Sequence, residues 1–134
     1  MRKTKTNMGF TLIELLITIV ILGLLVSIVA PEMFSKVGSS KRKAAEAQMQ
    51  MLETAISAYR LDTGRLPEAL AELRRSEVNN WDGPYLPKDV PLDPWGNSYS
   101  YETTNDKLKP FILKSLAADG AEGGEDEDED IILQ

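Results

Sequence analysis

One apolar segment near the amino terminus restricts what this chain can fold into more than any other feature. From Leu12 to Ala30 the sequence consists mostly of Leu, Ile and Val, and Glu14 is the one charged residue in the run. As a helix, these 19 residues would be about 28 Å long, close to the roughly 30 Å hydrocarbon core of a bilayer. The segment therefore predicts a membrane-spanning helix.

Basic residues precede this segment, namely Arg2, Lys3 and Lys5. Such residues stay on the cytoplasmic side of a membrane, so the carboxyl-terminal body is expected on the opposite side. A cleaved secretory signal peptide has the same basic start and apolar middle. That alternative is disfavoured because bulky Ile28 takes one of the two small-residue positions of a cleavage site ending at Ala30. Glu14 would also be costly at membrane depth, where charged residues usually have a function.

The hexapeptide Gly9–Glu14 (GFTLIE), with the basic leader before it and the apolar run after it, resembles the processing site of type IV pilins and type II secretion pseudopilins. In that class a prepilin peptidase cuts between the Gly and the Phe, and the new amine is methylated. The resemblance implies that residues 1–9 are a removed leader, that Phe10 becomes N-methylated, and that 10–30 is a transmembrane and filament-core helix.

Glu14 lies four residues after Phe10, the amino terminus that this processing would create. In a filament whose helices pack in a hydrophobic core, an unpaired carboxylate or ammonium would be costly. Pairing of Glu14 with the Phe10 amine of a neighbouring subunit would satisfy both groups, which predicts a role in assembly. The alternative is a solvated carboxylate at the membrane edge.

A stripe of apolar residues at spacings of 4, 3, 4 and 3 predicts a helix with one buried face: Ala45, Met49, Leu52, Ile56 and Tyr59. Gly64 and Pro67 end the pattern. One long helix is thus expected from near Phe10 to near Asp62. Pro31 lacks an amide donor and is expected to kink or break it locally, which leaves a helix over 35–62 in a head spanning 31–134.

Residues 63–96 are rich in Pro and Gly and are expected to form an ordered loop region, in which 66–80 can hold a short helix. Alternation over Asn97–Thr103 and the run Pro110–Ser115 predict two strands, in a sheet region over 97–115. The predicted fold class is α+β, with a small antiparallel sheet of two or three strands packed on the long helix.

Three further segments resemble the major pseudopilin family of type II secretion, general secretion pathway protein G: Trp81–Leu86, Asp93–Asn97 followed by Tyr99, and Ser115–Gly120. With the processing site, the likeness covers nearly the whole chain. It implies a type IV pilin-like fold. The Asp93–Asn97 segment is interpreted as a structural turn that builds the head and performs no chemistry.

Acidic residues are concentrated near the carboxyl terminus. Eight of them lie between positions 119 and 130, and without them the net charge of −6 becomes +2. Composition alone favours a solvated, disordered tail, whereas the apolar ending Ile131–Leu133 favours order. So acidic a loop can order only if its charge is cancelled, and calcium, with roughly six to eight oxygen ligands, is the natural candidate. The spacing is not that of an EF-hand.

The resemblance implies one calcium site in this acidic stretch, 116–134, with an ordered metal loop. Six consecutive acids, Glu125–Asp130, leave the choice among the later ligands open. The family's usual Gly after the Leu is Ala117 here. The implied first side-chain ligand is Asp119. Asp128 and Asp130 match the later ligands best, with Asp126 as the alternative, and the main-chain carbonyls of Leu116 and Ala121 would complete the shell.

The resemblance implies a structural protein that polymerises into a helical periplasmic filament and drives folded proteins across the outer membrane. Before assembly it would span the bacterial inner membrane once, with its head in the periplasm. Implied partners are further copies of the chain, minor pseudopilins, the inner-membrane assembly platform and prepilin peptidase. The negative net charge argues against nucleic acid as a partner.

Two other classes of protein are alternatives to a secretion pseudopilin. A type IV pilin of a surface fibre, for adhesion or motility, shares the amino-terminal signal, but many such pilins carry a disulfide and this chain has no Cys. Without Cys or His, thiolate zinc sites, Cys nucleophiles and His-based triads are excluded. A secreted acidic enzyme is disfavoured because no nucleophile–base pair can be placed, and no enzymatic activity is predicted.

Overall fold

The computed structural model describes residues 9–133. One helix, α1, runs from Leu12 to Thr63 and contains 52 residues. The chain divides into two compact units, the first ending at Val37 and the second beginning at Gly38. Short elements follow α1, namely 3-10 helices at Leu70–Leu73 and Asp126–Asp128 and the strands β1 (Ser100–Thr103), β2 (Phe111–Ser115) and β3 (Ile131–Leu133). The predicted α+β class, with a long helix and a small antiparallel sheet, is confirmed.

α1 continues through Pro31, so the single long helix expected from near Phe10 to near Asp62 is confirmed, and the alternative of a break with a restart at residue 35 is wrong. Proline removes one amide donor and deprives the Ser27 carbonyl of its helical partner. Helix propagation is cooperative, and intact turns on both sides maintain the helix across one missing bond. The Ser27 hydroxyl donates a hydrogen bond to the Leu24 carbonyl over 2.7 Å, within the same stretch.

In the first unit the apolar side chains of α1 are exposed. Every large hydrophobic residue from Leu12 to Val29 is more than half exposed, and Met33, Phe34 and Val37 are too. By length and composition α1 is able to cross a membrane, and the apolar window that qualifies it has no buried residue. A surface of this kind needs either lipid or other apolar helices around it.

In the second unit the predicted stripe of α1 is buried as the spacing indicated. Met49, Leu52, Ile56 and Tyr59 are fully buried, and Ala45 is as well. They form one core with residues from the 3-10 helix, the loops and the sheet, namely Leu70, Leu73, Leu86, Tyr99, Leu113 and Ile131. This core joins the carboxyl-terminal half of α1 to the 3-10 helix, the loops and the sheet of the head.

The sheet has the order β1-β2-β3, and both pairs of strands are antiparallel. β1 begins at Ser100 rather than Asn97, and β2 at Phe111 rather than Pro110, which has no amide to donate to a ladder. β3 lies outside the predicted sheet region of 97–115, because the apolar ending of the chain pairs with β2. The predicted short helix over 66–80 is reduced to the 3-10 turn at Leu70–Leu73.

Candidate functional site

The peptide bond between Gly9 and Phe10 precedes α1 and is exposed. Both residues lie outside regular structure, and the Phe10 side chain is 86% exposed. A peptidase that needs an extended, accessible bond could reach this position without unwinding the helix. The location is therefore compatible with the predicted processing.

Thr11 and Glu14 form a capping box at the start of α1. The Glu14 amide donates to the Thr11 hydroxyl over 3.2 Å, and the Thr11 amide donates to Glu14 Oε2 over 3.4 Å. These reciprocal bonds satisfy amides that the first helical turn leaves unpaired. This local role of Glu14 was missed, although the Thr-x-x-Glu spacing is its known signal. The Glu14 side chain is exposed, so its carboxylate remains accessible to a second partner.

We use the name acidic loop for residues 116–130, which connect β2 to β3. Its ends are fixed side by side, because Ser115 at the end of β2 pairs with Ile131 at the start of β3. The predicted loop of 116–134 is therefore shorter, and residues 131–133 belong to the sheet. This arrangement differs from the free acidic tail that composition alone favours.

The Asp93–Asn97 segment holds the first residues of the acidic loop. Asp93 is 4% exposed, and its carboxylate accepts hydrogen bonds from the amides of Trp95 and Asn97 and from the Ser115 hydroxyl, at 3.1, 2.8 and 2.7 Å. The Asn97 side-chain amide donates to the Ala117 carbonyl over 3.0 Å. This segment was predicted to build the head, and its contacts show that it anchors the loop to the head.

The neighbouring Tyr99 connects the same region to α1. Its hydroxyl donates to Gln48 Oε1 over 2.5 Å. Burial, with a smaller contribution from the negative charge of Asp93, raises the pKa of Tyr99 to about 12. The phenol is therefore neutral at physiological pH and serves as a hydrogen-bond donor.

Two of the predicted metal ligands, Asp119 and Asp130, bind amides of the same short turn. Asp119 Oδ1 accepts from the Ala121 amide and Asp130 Oδ2 from the Gly123 amide, each over 3.0 Å. The other oxygen of Asp130, Oδ1, is buried and has no hydrogen-bond partner. A buried carboxylate oxygen without a partner is costly, and a bound cation would remove that cost.

Asp126 and Asp128 occupy the 3-10 turn of the acidic loop, and both are exposed. The turn is closed by the Asp128 amide, which donates to the Glu125 carbonyl over 3.1 Å. Gly124, with a φ of +92°, passes so close to this turn that a Cβ on it would lie 2.3 Å from the Asp128 carbonyl oxygen. The exposure of the turn leaves its carboxylates accessible from solvent.

Of the two predicted carbonyl ligands, Leu116 already accepts a hydrogen bond from the Gly120 amide over 3.2 Å. Within residues 9–133, no three acidic side chains are gathered closely enough to hold a metal by themselves. A cation in the acidic loop would therefore need main-chain carbonyls or water beside the carboxylates. Hard oxygen donors of this mixed kind are the ones that calcium takes.

Other acidic residues of the loop face α1 or the sheet, where two of them contact a basic side chain and a third lies beside a glycine. Arg42 Nη1 donates to the Glu129 carbonyl over 2.9 Å, and its Nη2 lies 3.4 Å from Glu129 Oε2. Lys114 Nζ lies 3.4 Å from Glu122 Oε1. Gly38, buried on α1, faces Glu127. These contacts link residues far apart in the sequence and were not predicted.

Comparison with known proteins shows two matching family models. Residues 32–134 match the model described as type II secretion system protein G. Residues 8–30 match the prokaryotic N-terminal methylation motif. The two matches together extend over almost all of the chain.

Curated relatives match over similar lengths. A type II secretion system core protein G from Pseudomonas aeruginosa is 39% identical, over 92% of this chain and 92% of its own. The protein of the same name from Vibrio cholerae is 37% identical, over 98% of this chain and 94% of its own. Both similarities extend from the amino-terminal region to the acidic loop.

A solved structure, the major pseudopilin from the type 2 secretion system of enterohaemorrhagic Escherichia coli, resembles this chain with a TM-score of 0.56. The match covers 76% of this chain and 93% of that one, at 23% identity. At this level of identity the likeness concerns the fold, and it agrees with the long helix and the three-stranded sheet described above.

Proposed function

The chain belongs to the type II secretion system protein G family and is a structural subunit of that system's pseudopilus, and we propose how its two ends serve this role. The names of its relatives favour secretion over the alternative of a surface pilin for adhesion or motility. The family is one of structural pseudopilins and not of enzymes. We propose that the chain itself likewise has no catalytic activity.

We propose that prepilin peptidase cuts between Gly9 and Phe10 and that the new amine of Phe10 is methylated. The methylation motif over residues 8–30 and the exposure of the bond support this step. The apolar, exposed surface of α1 supports a single crossing of the bacterial inner membrane before assembly, with the head in the periplasm. In the filament the same surface would pack against copies of itself.

We propose that the Glu14 carboxylate pairs with the Phe10 amine of a neighbouring subunit during assembly. The capping box holds Glu14 at the start of α1, four residues from the new amino terminus, with its carboxylate exposed. Both charges would otherwise enter an apolar environment unpaired, at considerable cost. The pair would thus accept only subunits in the correct register.

We propose that the acidic loop holds one calcium ion. The observation that carries this proposal is the buried, unpartnered Oδ1 of Asp130. Asp119 lies against the same turn, and the exposed Asp126 and Asp128 are the candidates for the remaining carboxylates. The carbonyls of Leu116 and Ala121 are proposed to complete the shell. The ion would supply positive charge that offsets the repulsion within the loop.

The proposed partners are further copies of this chain in a helical homopolymer, minor pseudopilins, the inner-membrane assembly platform and prepilin peptidase. A strain that lacks the chain tests the role as a whole. Export of folded proteins across the outer membrane is expected to stop and to return with the wild-type chain. Unchanged export together with loss of a surface fibre would instead favour the pilin alternative.

A further inference from the structure

We propose that α1 carries a latch for the acidic loop, in which Gly38 receives Glu127 and Arg42 holds Glu129. The latch positions the loop so that other acids are available to the cation. Gly38 and Arg42 are positioning residues, because they act through the loop and do not touch the ion. The inference rests on the calcium site proposed above, and its test separates the two.

Gly38 lies in the interior of a helix, where glycine is normally unfavourable. Glycine in a helix interior is destabilising relative to alanine, yet Gly38 lies well inside α1 and is buried. The reason is close approach: a Cβ at this position would lie 2.2 Å from Glu127 Oε1 and 2.6 Å from its Cδ. A side chain here would force the Glu127 carboxylate to move away.

Arg42 follows Gly38 by four residues, so both lie on the same face of α1, about 6 Å apart along its axis. Its guanidinium contacts Glu129 twice, through the main-chain carbonyl at 2.9 Å and through the carboxylate at 3.4 Å. A planar guanidinium with two donors fixes orientation as well as distance. Arg42 therefore holds the loop, and on the same helical face Gly38 leaves room for Glu127.

The latch gives the consecutive acids of the loop two different roles. Glu127 and Glu129 turn to the helix, where glycine leaves room for one and arginine offsets the charge of the other. The next residue after Glu129 is Asp130, which keeps a buried oxygen without a partner. Removing the contacts of Glu129 would therefore release the residue that offers the best ligand.

Coupling between latch and ion follows from this arrangement. Groups that orient metal ligands typically change affinity by roughly 10–100-fold when they are removed. If the ion binds the loop more tightly when the loop is attached to α1 than when it is released, then by linkage the bound ion must also stabilise the contacts at Gly38 and Arg42. Calcium binding is thus expected to hold the loop on the part of α1 nearest the first unit.

The test uses the full chain in detergent micelles, with calcium titrated by calorimetry. Gly38→Ala, Arg42→Ala and Glu127→Ala are expected to weaken calcium binding roughly tenfold. Lys43→Ala and Glu125→Ala are the matched controls for Arg42→Ala and Glu127→Ala. They remove the same charges from neighbouring exposed positions, and they are expected to change the affinity less than twofold. If Arg42→Ala and Glu127→Ala lose no more calcium affinity than their controls, the losses come from net charge alone, and the latch is overturned.

A double variant tests the contact between Gly38 and Glu127 directly. If the alanine at 38 acts by displacing Glu127, then Gly38→Ala combined with Glu127→Ala should bind calcium no more weakly than either single variant. Additive losses would show that the two residues act separately and would contradict the latch.

Hydrogen exchange of residues 119–130 in chelator provides a measurement that does not depend on the ion. The latch predicts faster exchange in Gly38→Ala and Arg42→Ala, even though alanine is the better helix former. If the wild type binds no calcium but these variants exchange faster, the calcium proposal fails and only the attachment of the loop to α1 survives. Unchanged exchange and unchanged affinity in both variants would overturn the latch itself.

Discussion

Ser115 donates its hydroxyl to the buried carboxylate of Asp93 over 2.7 Å and so joins the end of β2 to the loop that precedes β1. The Asp93 carboxylate also accepts hydrogen bonds from two backbone amides of its own loop. One side chain thereby organises a turn and fixes the starting point of the acidic loop.

Loss of the Ser115 hydroxyl should destabilise the head. Ser115→Ala leaves a buried carboxylate oxygen with one donor fewer, which is expected to lower the free energy of unfolding by about 1–3 kcal/mol. Ser98→Ala removes a hydroxyl from an exposed position nearby and should change it by less than about 0.5 kcal/mol. Urea unfolding of the full chain in micelles measures both. Equal stability of the two variants would contradict the importance of the contact.

Substitutions at Glu14 can separate helix capping from assembly. Glu14→Gln keeps a side chain that can complete the capping box but removes the charge, so we expect filament assembly to fail. Thr11→Ala removes the cap and costs about 1 kcal/mol at the helix start, but it keeps the charge and should still assemble. Filament formation is measured by shearing and by cross-linking. Normal assembly of Glu14→Gln would rule out the pairing with Phe10.

Calcium should stabilise the full chain against heat. An ion that binds only the folded state adds about 2.7 kcal/mol at 100 times its dissociation constant. We expect Asp130→Asn to lose most of this gain, since it removes the charge of the carboxylate whose Oδ1 is buried without a partner. Glu122→Gln removes an exposed charge paired with Lys114 and should retain it. A thermal shift that is the same in both variants would place the ion elsewhere.

The head should lose stability at alkaline pH. Burial, above all, raises the pKa of Tyr99 and of Tyr101 to about 12, whereas the unperturbed phenol has a pKa of about 10. Below pH 10 both states are protonated, and the folded state keeps its full contribution. Between pH 10 and 12 only the unfolded chain ionises, so the free energy of unfolding falls. Tyr99→Phe should make this fall shallower, and an unchanged pH profile would contradict the assignment.

Much of the fold could be predicted because its determinants are local. The 3.6-residue spacing from Ala45 to Tyr59 identified the buried face of α1, and GFTLIE located the start of the helix. Of the two outcomes expected at Pro31, the break does not occur, because one lost hydrogen bond does not end a long cooperative helix. β3 is too short to show a period, and its pairing depends on β2 in the folded chain.

The contacts around the acidic loop are harder to predict from the sequence. Arg42 and Glu129 are 87 residues apart, and no pattern in a single sequence connects them. Gly38 did carry a signal, because a glycine inside a helical pattern that has a packing reason marks a close approach. Thr11 and Glu14 also carried one, since their spacing is that of a capping box.

The most direct test of the structural role is the mass of the mature chain isolated from filaments. Processing between Gly9 and Phe10 predicts a chain that begins at N-methylated Phe10 and keeps all of α1 for polymerisation. A chain that begins after Ala30 would have lost the apolar surface of the first unit. That result, or an unprocessed chain in assembled filaments, would contradict the proposed mechanism of assembly.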